Sequence, residues 1–307
     1  MKKRILLTGA TGFFGSFLAK ALVSKGYQLV VLKRKRSSLR RIESILPVIA
    51  LYDIEKLDFS IPFKSHGVID TVIHTATCYG RNGETAMEIF DANSAFPLRL
   101  LEAAIFFKTN TFFNTDTFFN SDTFFNSDHT LYQYLNEYML SKRHFSEWGK
   151  QFANNNKIRF VNISLPHMYG PDDDVSKFTS YVIKSCLANE PEIKLTFGEQ
   201  KRDFVYIDDV IAAYEILLEH TDHSEELYYE YSVGSGEAIS IREFVENVHQ
   251  LSHSSSHLNF GALPYRKNEI MNSEINIEQM LLLGWRCQIS LADGIMKIIR
   301  YEKEFQK

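Results

Sequence analysis

The spacing of three glycines near the start of the chain constrains the fold more than any other feature. Gly9, Gly12 and Gly15 follow an apolar run at residues 4–8 and precede residues 16–25, whose apolar side chains fall on one helical face. The run predicts a buried strand and the later segment predicts a helix. A glycine-rich turn between them lets the chain reverse tightly and lets the helix pack closely on the strand.

Strand and helix patterns continue to alternate through the first half of the chain. Further strands are predicted at 27–32, 48–53, 71–75, 111–114 and 159–163, and further helices at 87–108, kinked at Pro97, and at 134–153. This alternation predicts an α/β fold, a Rossmann doubly wound parallel sheet. After about residue 165 the alternation fades, and helices are predicted at 174–189, 208–220, 240–252 and 290–305.

The glycine turn also predicts a dinucleotide site. The second glycine lets a pyrophosphate approach the backbone, and the amides and positive dipole end of the following helix face its phosphates. The turn residues expected to bind the cofactor are Gly9, Thr11, Gly12, Phe13, Phe14 and Gly15. We therefore expect a NAD(P)-binding Rossmann domain at 1–165. A smaller C-terminal substrate-binding lobe is expected mainly at 166–307, with some chain returning to the Rossmann sheet.

The end of the second predicted strand bears on the choice of cofactor. NAD sites usually offer an acid there to the ribose hydroxyls, whereas residues 32–38 contain cations and serines and no acid. Lys33, Arg34 and Arg36 suit a 2′-phosphate, which favours NADP over NAD. The alternative is a solvated basic helix start. Asp53 and Ile54 close the third strand, where they are placed to contact the adenine; a simple loop acid is the alternative for Asp53.

Tyr138 and Lys142 are candidates for proton transfer. They lie four residues apart in a predicted helix and so share one face. An ammonium stabilises a nearby phenolate and so brings a tyrosine closer to the range in which it can exchange a proton. Lys142 is also placed to bind the nicotinamide ribose. Without the upstream glycines, a surface Tyr/Lys pair would be the default interpretation.

Together these motifs resemble the extended short-chain dehydrogenase/reductase family, and within it the nucleotide-sugar epimerases, dehydratases and ketoreductases. The resemblance also rests on His74, Asn93, Thr115 and the segments 168–171, 202–210 and 283–285. It implies that Thr115 is the third catalytic residue beside Tyr138 and Lys142, with Thr117, Ser121 and Thr123 as alternative hydroxyls. It implies further cofactor contacts at Thr75, Ala76, Thr77, Asn93, Tyr138, Lys142, Leu165 and His167.

The residues after Thr115 bear on the reaction. The family's 4,6-dehydratases resemble one another in a Thr-Asp-Glu run, whereas this chain has Asp116 followed by Thr117. A threonine hydroxyl is a poor base near neutral pH, so dehydration is disfavoured. Residues 75–81 resemble the sugar ketoreductases of O-antigen pathways, such as CDP-paratose and CDP-abequose synthases.

The resemblance implies an NADPH-dependent reduction of a nucleotide-linked 4-keto-6-deoxy sugar, with CDP as one candidate nucleotide, in surface polysaccharide biosynthesis. The alternatives are an epimerase with tightly bound NAD and, in another class, a non-catalytic dinucleotide-binding regulator. The residues expected to contact the substrate are Tyr79, Arg81, Asp116, Thr117, His167, Phe178, Arg202 and Arg266. A salt bridge to Asp208 or Asp209 is the alternative for Arg202.

Composition narrows the partners and the compartment. A net charge of −4 gives no reason to expect nucleic acid or an anionic membrane as partner. Three dispersed cysteines predict neither a disulfide framework nor a metal site, and they favour the cytoplasm. Apolar residues in the helices at 87–108 and 134–153 predict a homodimer, with a buried monomeric core as the alternative.

A six-residue unit beginning Thr-Phe-Phe-Asn occurs three times in succession at residues 111–128. The period is too short for a solenoid repeat. The simplest interpretation is a local tandem duplication in a loop after the fifth strand. An aromatic lid over the substrate is the alternative.

Overall fold

A computed structural model describes residues 3–117, 136–266 and 269–305 of the chain. The chain divides into two compact units. Among the described residues, the first comprises 3–117, 136–164 and 217–231, and the second comprises 165–216, 232–266 and 269–305. Two copies of the six-residue repeat fall largely outside the described residues, and the first copy, residues 111–116, belongs to a buried strand.

The first unit is built on a seven-stranded sheet. Its strands are β1 (Arg4–Thr8), β2 (Gln28–Lys33), β3 (Ile49–Asp53), β4 (Thr71–His74), β5 (Thr111–Thr117), β6 (Arg159–Leu165) and β10 (Tyr228–Ser232). They lie in the order β10-β6-β5-β4-β1-β2-β3, and the pairs β1·β2, β1·β4, β2·β3 and β4·β5 are parallel. The order from β3 to β6 is that of a Rossmann sheet, so the predicted fold class is confirmed.

Helices flank this sheet. They are α1 (Phe13–Ser24), α2 (Ser60–His66), α3 (Ala86–Phe90), α4 (Phe96–Phe106) and α5 (Glu137–Asn154), with a 3₁₀ segment at Arg40–Val48. The helix predicted at 87–108 is interrupted by a π-helical turn, Asp91–Ala95, just before the predicted kink at Pro97. Proline has no amide hydrogen to donate to the carbonyl of Asn93, and the amide of Phe96 instead bonds the carbonyl of Asp91.

Aromatic packing joins α5 to the sheet. The rings of Phe112 on β5 and Phe160 on β6 stack with centroids 5.8 Å apart, and the ring of Phe145 on α5 meets both edge-on. All three side chains are buried. Because successive residues of a strand point to opposite faces, this packing identifies the face of β5 and β6 that α5 covers.

The second unit contains shorter strands and several helices. Its elements are β7 (His167–Tyr169), α6 (Phe178–Leu187), β8 (Glu192–Leu195), β9 (Lys201–Tyr206), α7 (Ile207–Asp222, which enters the first unit at Leu217), β11 (Ala238–Ser240), α8 (Ile241–Ser252), β12 (His257–Phe260), β13 (Asn272–Ser273), α9 (Glu278–Leu282) and α10 (Leu291–Phe305). Strands β11, β13 and β7 pair with β9, and β12 pairs with β8. The rings of Phe204 and Phe244 stack at 4.5 Å in its core.

Within the described ranges, the structure contains no helix that is both long enough and apolar enough to cross a bilayer.

Candidate active site

The glycine turn after β1 is packed directly against the end of β4. Gly9 has a φ of +77°, and a Cβ atom there would lie 2.4 Å from Oγ1 of Thr75 and 2.6 Å from the amide nitrogen of Ala76. A Cβ atom on Gly15 would lie 2.2 Å from the carbonyl oxygen of Gly9. Neither position accepts a larger residue without displacing backbone, so both glycines are required by close packing.

The tip of the turn, at Gly12, leaves room for a pyrophosphate to approach the backbone. The amide of Gly12 donates to the carbonyl of Gly9 at 2.9 Å, and among the described residues a Cβ atom on Gly12 would meet only that carbonyl oxygen, at 3.3 Å. Gly12 is exposed, and α1 begins directly after it without a side-chain cap. Because a helix does not use its first amides internally, this turn fits a pyrophosphate.

Hydrogen bonds hold the ends of β1 and β4 together beside the turn. Oγ1 of Thr75 donates to the carbonyl of Thr8 at 2.8 Å, and Oγ1 of Thr8 bonds Nδ1 of His74 at 2.8 Å. His74 is fully buried, and burial together with the nearby charge of Lys142 holds its pKa well below the usual range. The imidazole is therefore neutral and acts as part of the packing beneath the site.

The basic end of β2 contains one paired cation and two exposed ones. Lys33 forms an ion pair with Asp53, its neighbour in the register of β2 and β3. The structure thus places these two residues on each other. Arg34 and Arg36 are exposed and, among the described residues, have no ion-pair partner. Ile54 follows β3, and its amide donates to the carbonyl of Lys33 at 2.9 Å.

An acid near this end of β2 was missed in the sequence. Both carboxylate oxygens of Glu55 lie 2.9 Å from the amide nitrogen of Lys35. Glu55 follows β3, so it reaches the turn from the neighbouring strand rather than from residues 32–38. The adjacency of β2 and β3 is the signal that would have found it.

The predicted catalytic lysine is inside the protein. Lys142 is 1% exposed, and its Nζ donates to the backbone carbonyl of Thr115 at 2.5 Å. Burial lowers the pKa of Lys142, and the charge of Asp116 opposes that shift. A surface Tyr/Lys pair therefore does not describe this lysine. Thr115 and Tyr138, the other two predicted catalytic residues, are half-buried.

One predicted substrate residue, Tyr79, lies beside Tyr138, and a second, Arg81, lies over the ring of Tyr79. The rings of Tyr79 and Tyr138 are 5.1 Å apart at their centroids, and the guanidinium of Arg81 lies 4.8 Å from the centroid of Tyr79. Tyr79 and Arg81 are both exposed. The ring of Tyr79 thus lies next to Tyr138, the predicted proton donor, and the cation of Arg81 lies over that ring.

Asn93 connects the segment after β4 to the helix of Tyr138. Its Oδ1 accepts from the amide of Cys78 at 2.7 Å and from Oγ1 of Thr77 at 3.3 Å. Its Nδ2 donates to the carbonyl of Cys78 at 2.8 Å and to Oγ of Ser141 at 3.0 Å. Asn93 was predicted to contact the cofactor; the structure places its amide on these protein groups. Ser141, beside Lys142 in the sequence, was not singled out.

Three buried polar side chains on β5 and β6 form a second hydrogen-bonded cluster near Lys142. Nδ2 of Asn114 donates to Oδ1 of Asn162 at 2.8 Å, and Nδ2 of Asn162 donates to Oδ2 of Asp116 at 3.1 Å. All three side chains are buried. Asn162 was also missed, because its link to Asp116 spans 46 residues of sequence. Thr117 ends β5, and its side chain lies outside the described part of the structure, as do Ser121 and Thr123.

In the second unit, Arg202 is bound within the protein. It forms an ion pair with Glu269 and donates to the carbonyl of Ile270 at 2.6 Å. The suggested salt bridge to Asp208 or Asp209 is therefore wrong. Arg202 pairs with Ser273 in the register of β9 and β13, which brings the preceding segment to it. Asp208 instead pairs with Lys297.

The other predicted residues of the second unit differ in exposure. His167 is exposed on β7, with its ring 5.9 Å from that of Phe204, and Arg266 is exposed. Phe178 begins α6 and is half-buried, with its ring 6.1 Å from that of Phe244. Leu165 is buried at the end of β6.

The strand order, the glycine turn and the buried lysine one helical turn from Tyr138 define a dinucleotide-binding α/β protein of the short-chain dehydrogenase/reductase type. The model of the NAD dependent epimerase/dehydratase family matches residues 5–234, and the chain belongs to this family. The family predicted from sequence is thereby confirmed.

Individual relatives agree with this assignment. CDP-abequose synthase from Salmonella muenchen is 37% identical over 300 residues, which cover 97% of this chain and 98% of that protein. The structure of UDP-glucose 4-epimerase from Thermotoga maritima with UDP-glucose superposes with a TM-score of 0.84 at 19% identity, covering 99% and 100% of the two chains. UDP-glucuronic acid 4-epimerase from Bacillus cereus with NAD gives 0.82 at 24% identity, covering 98% and 99%.

Proposed function

We propose that this chain is an NADPH-dependent nucleotide-sugar 4-ketoreductase that acts on a 4-keto-6-deoxy sugar in surface polysaccharide biosynthesis. The likeness to CDP-abequose synthase over nearly the whole chain supports this function and favours a CDP-linked substrate. The observation that carries it is the site at the end of β5. There a buried lysine is bonded to the carbonyl of Thr115, while Asp116 is bonded to Asn162 and followed by Thr117 rather than by a second acid.

The residues of this site suit the reduction of a ketone. When bound, NADPH supplies a hydride to C4 of the sugar. Tyr138 donates a proton to the carbonyl oxygen, so that ketone, NADPH and a proton give alcohol and NADP⁺. The ammonium of Lys142 stabilises the phenolate left on Tyr138, and the hydroxyl of Thr115 donates a hydrogen bond to the same oxygen. Simple reduction requires no further carboxylate acting as a base.

The preference for NADPH over NADH is part of this proposal. Arg34 and Arg36 are exposed at the end of β2 and carry no ion pair among the described residues, so both are available to a 2′-phosphate. Lys33 is neutralised by Asp53 and contributes less. Glu55 accepts from the amide of Lys35, which satisfies part of its hydrogen-bonding capacity within the protein.

A cofactor-consumption assay tests the function. The purified chain is mixed with NADPH and, in turn, with CDP-, dTDP-, UDP- and GDP-linked 4-keto-6-deoxy sugars, and absorbance at 340 nm is followed. We expect one NADPH oxidised per alcohol formed with one nucleotide strongly preferred. Product formation without net oxidation, from protein that carries tightly bound NAD, would identify an epimerase instead. Cofactor binding with no turnover of any sugar would favour the non-catalytic regulator.

We also propose a homodimer formed through α3, α4 and α5. Large apolar side chains on these helices are exposed in the single chain: Met87, Phe90, Phe106, Leu140 and Trp148. Phe106 is 78% exposed and Trp148 is 51% exposed, which is typical of a surface that another chain covers. Light scattering at micromolar concentration is expected to give twice 35.5 kDa, and a single-chain mass would contradict the proposal. Location in the cytoplasm stays a prediction.

A further inference from the structure

Three polar side chains form a connected line beneath the candidate catalytic lysine. Phe112, Asn114 and Asp116 are spaced two residues apart on β5 and so share one face. The ring of Phe112 packs against Phe145 of α5, so this is the face that α5 covers. Asn162 lies on the neighbouring strand β6 and bonds both of them. This is the same face from which Lys142 of α5 reaches β5.

The amide of Asn162 is oriented by its neighbours. Its Oδ1 accepts from Nδ2 of Asn114 at 2.8 Å, which turns its Nδ2 towards Oδ2 of Asp116 at 3.1 Å. Asn162 therefore presents a donor to the carboxylate. A buried carboxylate is costly unless hydrogen bonds and an opposite charge compensate it. Asp116 is 4% exposed, so the structure has to provide both.

The opposite charge comes from Lys142. Its Nζ donates to the carbonyl of Thr115, the residue directly before Asp116, and the lysine is as deeply buried as the carboxylate. A neutral carbonyl satisfies a hydrogen bond without offsetting the buried positive charge. Burial lowers the pKa of Lys142, and the charge of Asp116 raises it. The two groups thus stabilise each other's ionised form.

Other titratable groups face this pair from three elements. His74 of β4 is neutral because burial and the charge of Lys142 lower its pKa. Tyr228 of β10 is neutral because burial and the nearby Glu230 raise its pKa, with smaller contributions from the charges of Glu147 and Asp116. Tyr138 lies one helical turn before Lys142 on α5. Among the described residues, Asp116 is the acid whose charge raises the pKa of Lys142.

We propose that Asp116 is the counter-ion of Lys142 and that Asn162 holds its carboxylate in place, which makes both of them positioning residues for the proton transfer by Tyr138. This assignment rests on the proposed function for its catalytic consequence. It gives Asp116 a role different from the substrate contact expected from sequence, because the carboxylate acts through the lysine. The residue after Asp116 is Thr117 rather than a second acid. This fits a site in which Asp116 keeps Lys142 charged for reduction and no dehydration takes place.

The first test is the pH dependence of ketone reduction. Asp116→Asn keeps the size of the side chain and removes its charge, so Lys142 loses its proton at lower pH. We expect the alkaline limb of kcat/KM to move down by roughly one pH unit, in line with the effect of one nearby charge on a buried group. Asn162→Ala is expected to move it in the same direction by less, and this variant replaces Asp116→Asn if the latter fails to fold.

Glu147→Gln is the matched control. Glu147 lies on the same helix as Lys142 but is exposed and pairs with Arg143 at 3.9 Å, so its neutralisation removes one charge from α5 that is not among the causes of the pKa shift of Lys142. Its alkaline limb is expected to coincide with that of the unaltered protein. A lower kcat in Asp116→Asn with an unmoved limb would overturn the proposal, since a structural role or direct contact with substrate would produce that result.

A second test needs no substrate. Lysine labelled with ¹³C at Cε is incorporated, the signal of Lys142 is assigned with Lys142→Arg, and its titration is followed by NMR. We expect the titration of Lys142 to move to lower pH in Asp116→Asn and to stay in place in Glu147→Gln. An unmoved titration in both variants overturns the ion pair. If the titration moves while no 4-keto sugar is reduced by the unaltered protein, the pair stands and the proposed function fails.

Discussion

The carboxyl ends of β5 and β2 both present cations, but they differ in depth. At β5, Lys142 is fully buried and bonded to a backbone carbonyl, with Asp116 near it. At β2, Arg34 and Arg36 extend into solvent. A buried charge changes the protonation of its neighbours, whereas an exposed charge attracts a ligand through water and salt. We therefore expect the β5 end to govern turnover and the β2 end to govern cofactor affinity.

The largest expected effect is on turnover at the buried end. Tyr138→Phe removes the donated proton and retains the ring beside Tyr79, so kcat should fall by about 10²- to 10⁴-fold with little change in NADPH affinity. Stopped-flow kinetics and fluorescence titration with NADPH measure the two quantities. Tyr27→Phe, in the same unit and away from the strand ends of the site, is the control. An unchanged kcat would remove Tyr138 from the mechanism.

At the exposed end of β2, we expect substitutions to change the preference for the cofactor and to leave turnover nearly unchanged. Arg34→Ala combined with Arg36→Ala removes two charged donors to a 2′-phosphate, so the preference for NADPH over NADH should fall by roughly 100-fold, while kcat at saturating cofactor stays nearly constant. The preference of the unaltered protein should also weaken as salt is raised. Equal losses for NADPH and NADH would mean that the basic turn is only a solvated surface.

The effect of burial on the pKa of His74 can be measured through the pH dependence of the protein's stability. This pKa is lowered in the folded protein, so the unfolded chain binds the proton more readily. The contribution of neutral His74 to the free energy of unfolding is therefore fully present above the ordinary histidine pKa near 6.5. It is lost as pH falls below that value, by up to about 1.4 kcal/mol per pH unit. Thermal melts from pH 7 to pH 5 should show a smaller loss for His74→Gln than for the unaltered protein. Parallel losses would show that other groups dominate.

The smallest effect is expected at the paired cation of the exposed end. Asp53→Asn releases Lys33 from its ion pair, which makes one more positive charge available beside Arg34 and Arg36. NADPH should bind about two- to fivefold more tightly and NADH about as before, because a partly exposed ion pair is weak. Isothermal titration at low salt measures the difference. Weaker binding of both cofactors would instead assign Asp53 to the adenosine, as expected from sequence.

Features set by residues close together in the sequence could be predicted, whereas contacts between residues far apart in the sequence could not. The six strands of the predicted sheet, the glycine turn and the Tyr138–Lys142 pair all follow from local patterns, and they lie where expected. Asn162, Ser141 and Glu55 were missed because each acts on a residue that the sheet or a helix contact brings to it. The same reason explains Arg202, whose partner Glu269 is 67 residues away.

The π-helical turn that carries Asn93 has a consequence for altering specificity. Asn93 holds the segment after β4 chiefly through the amide and carbonyl of Cys78, groups that every residue except proline provides. This anchor therefore does not depend on the side chain at position 78, and Tyr79 and Arg81 extend exposed side chains from the held segment. A library of substitutions at these three positions, excluding proline at 78, would vary the surface offered to a sugar while the main chain keeps its anchor.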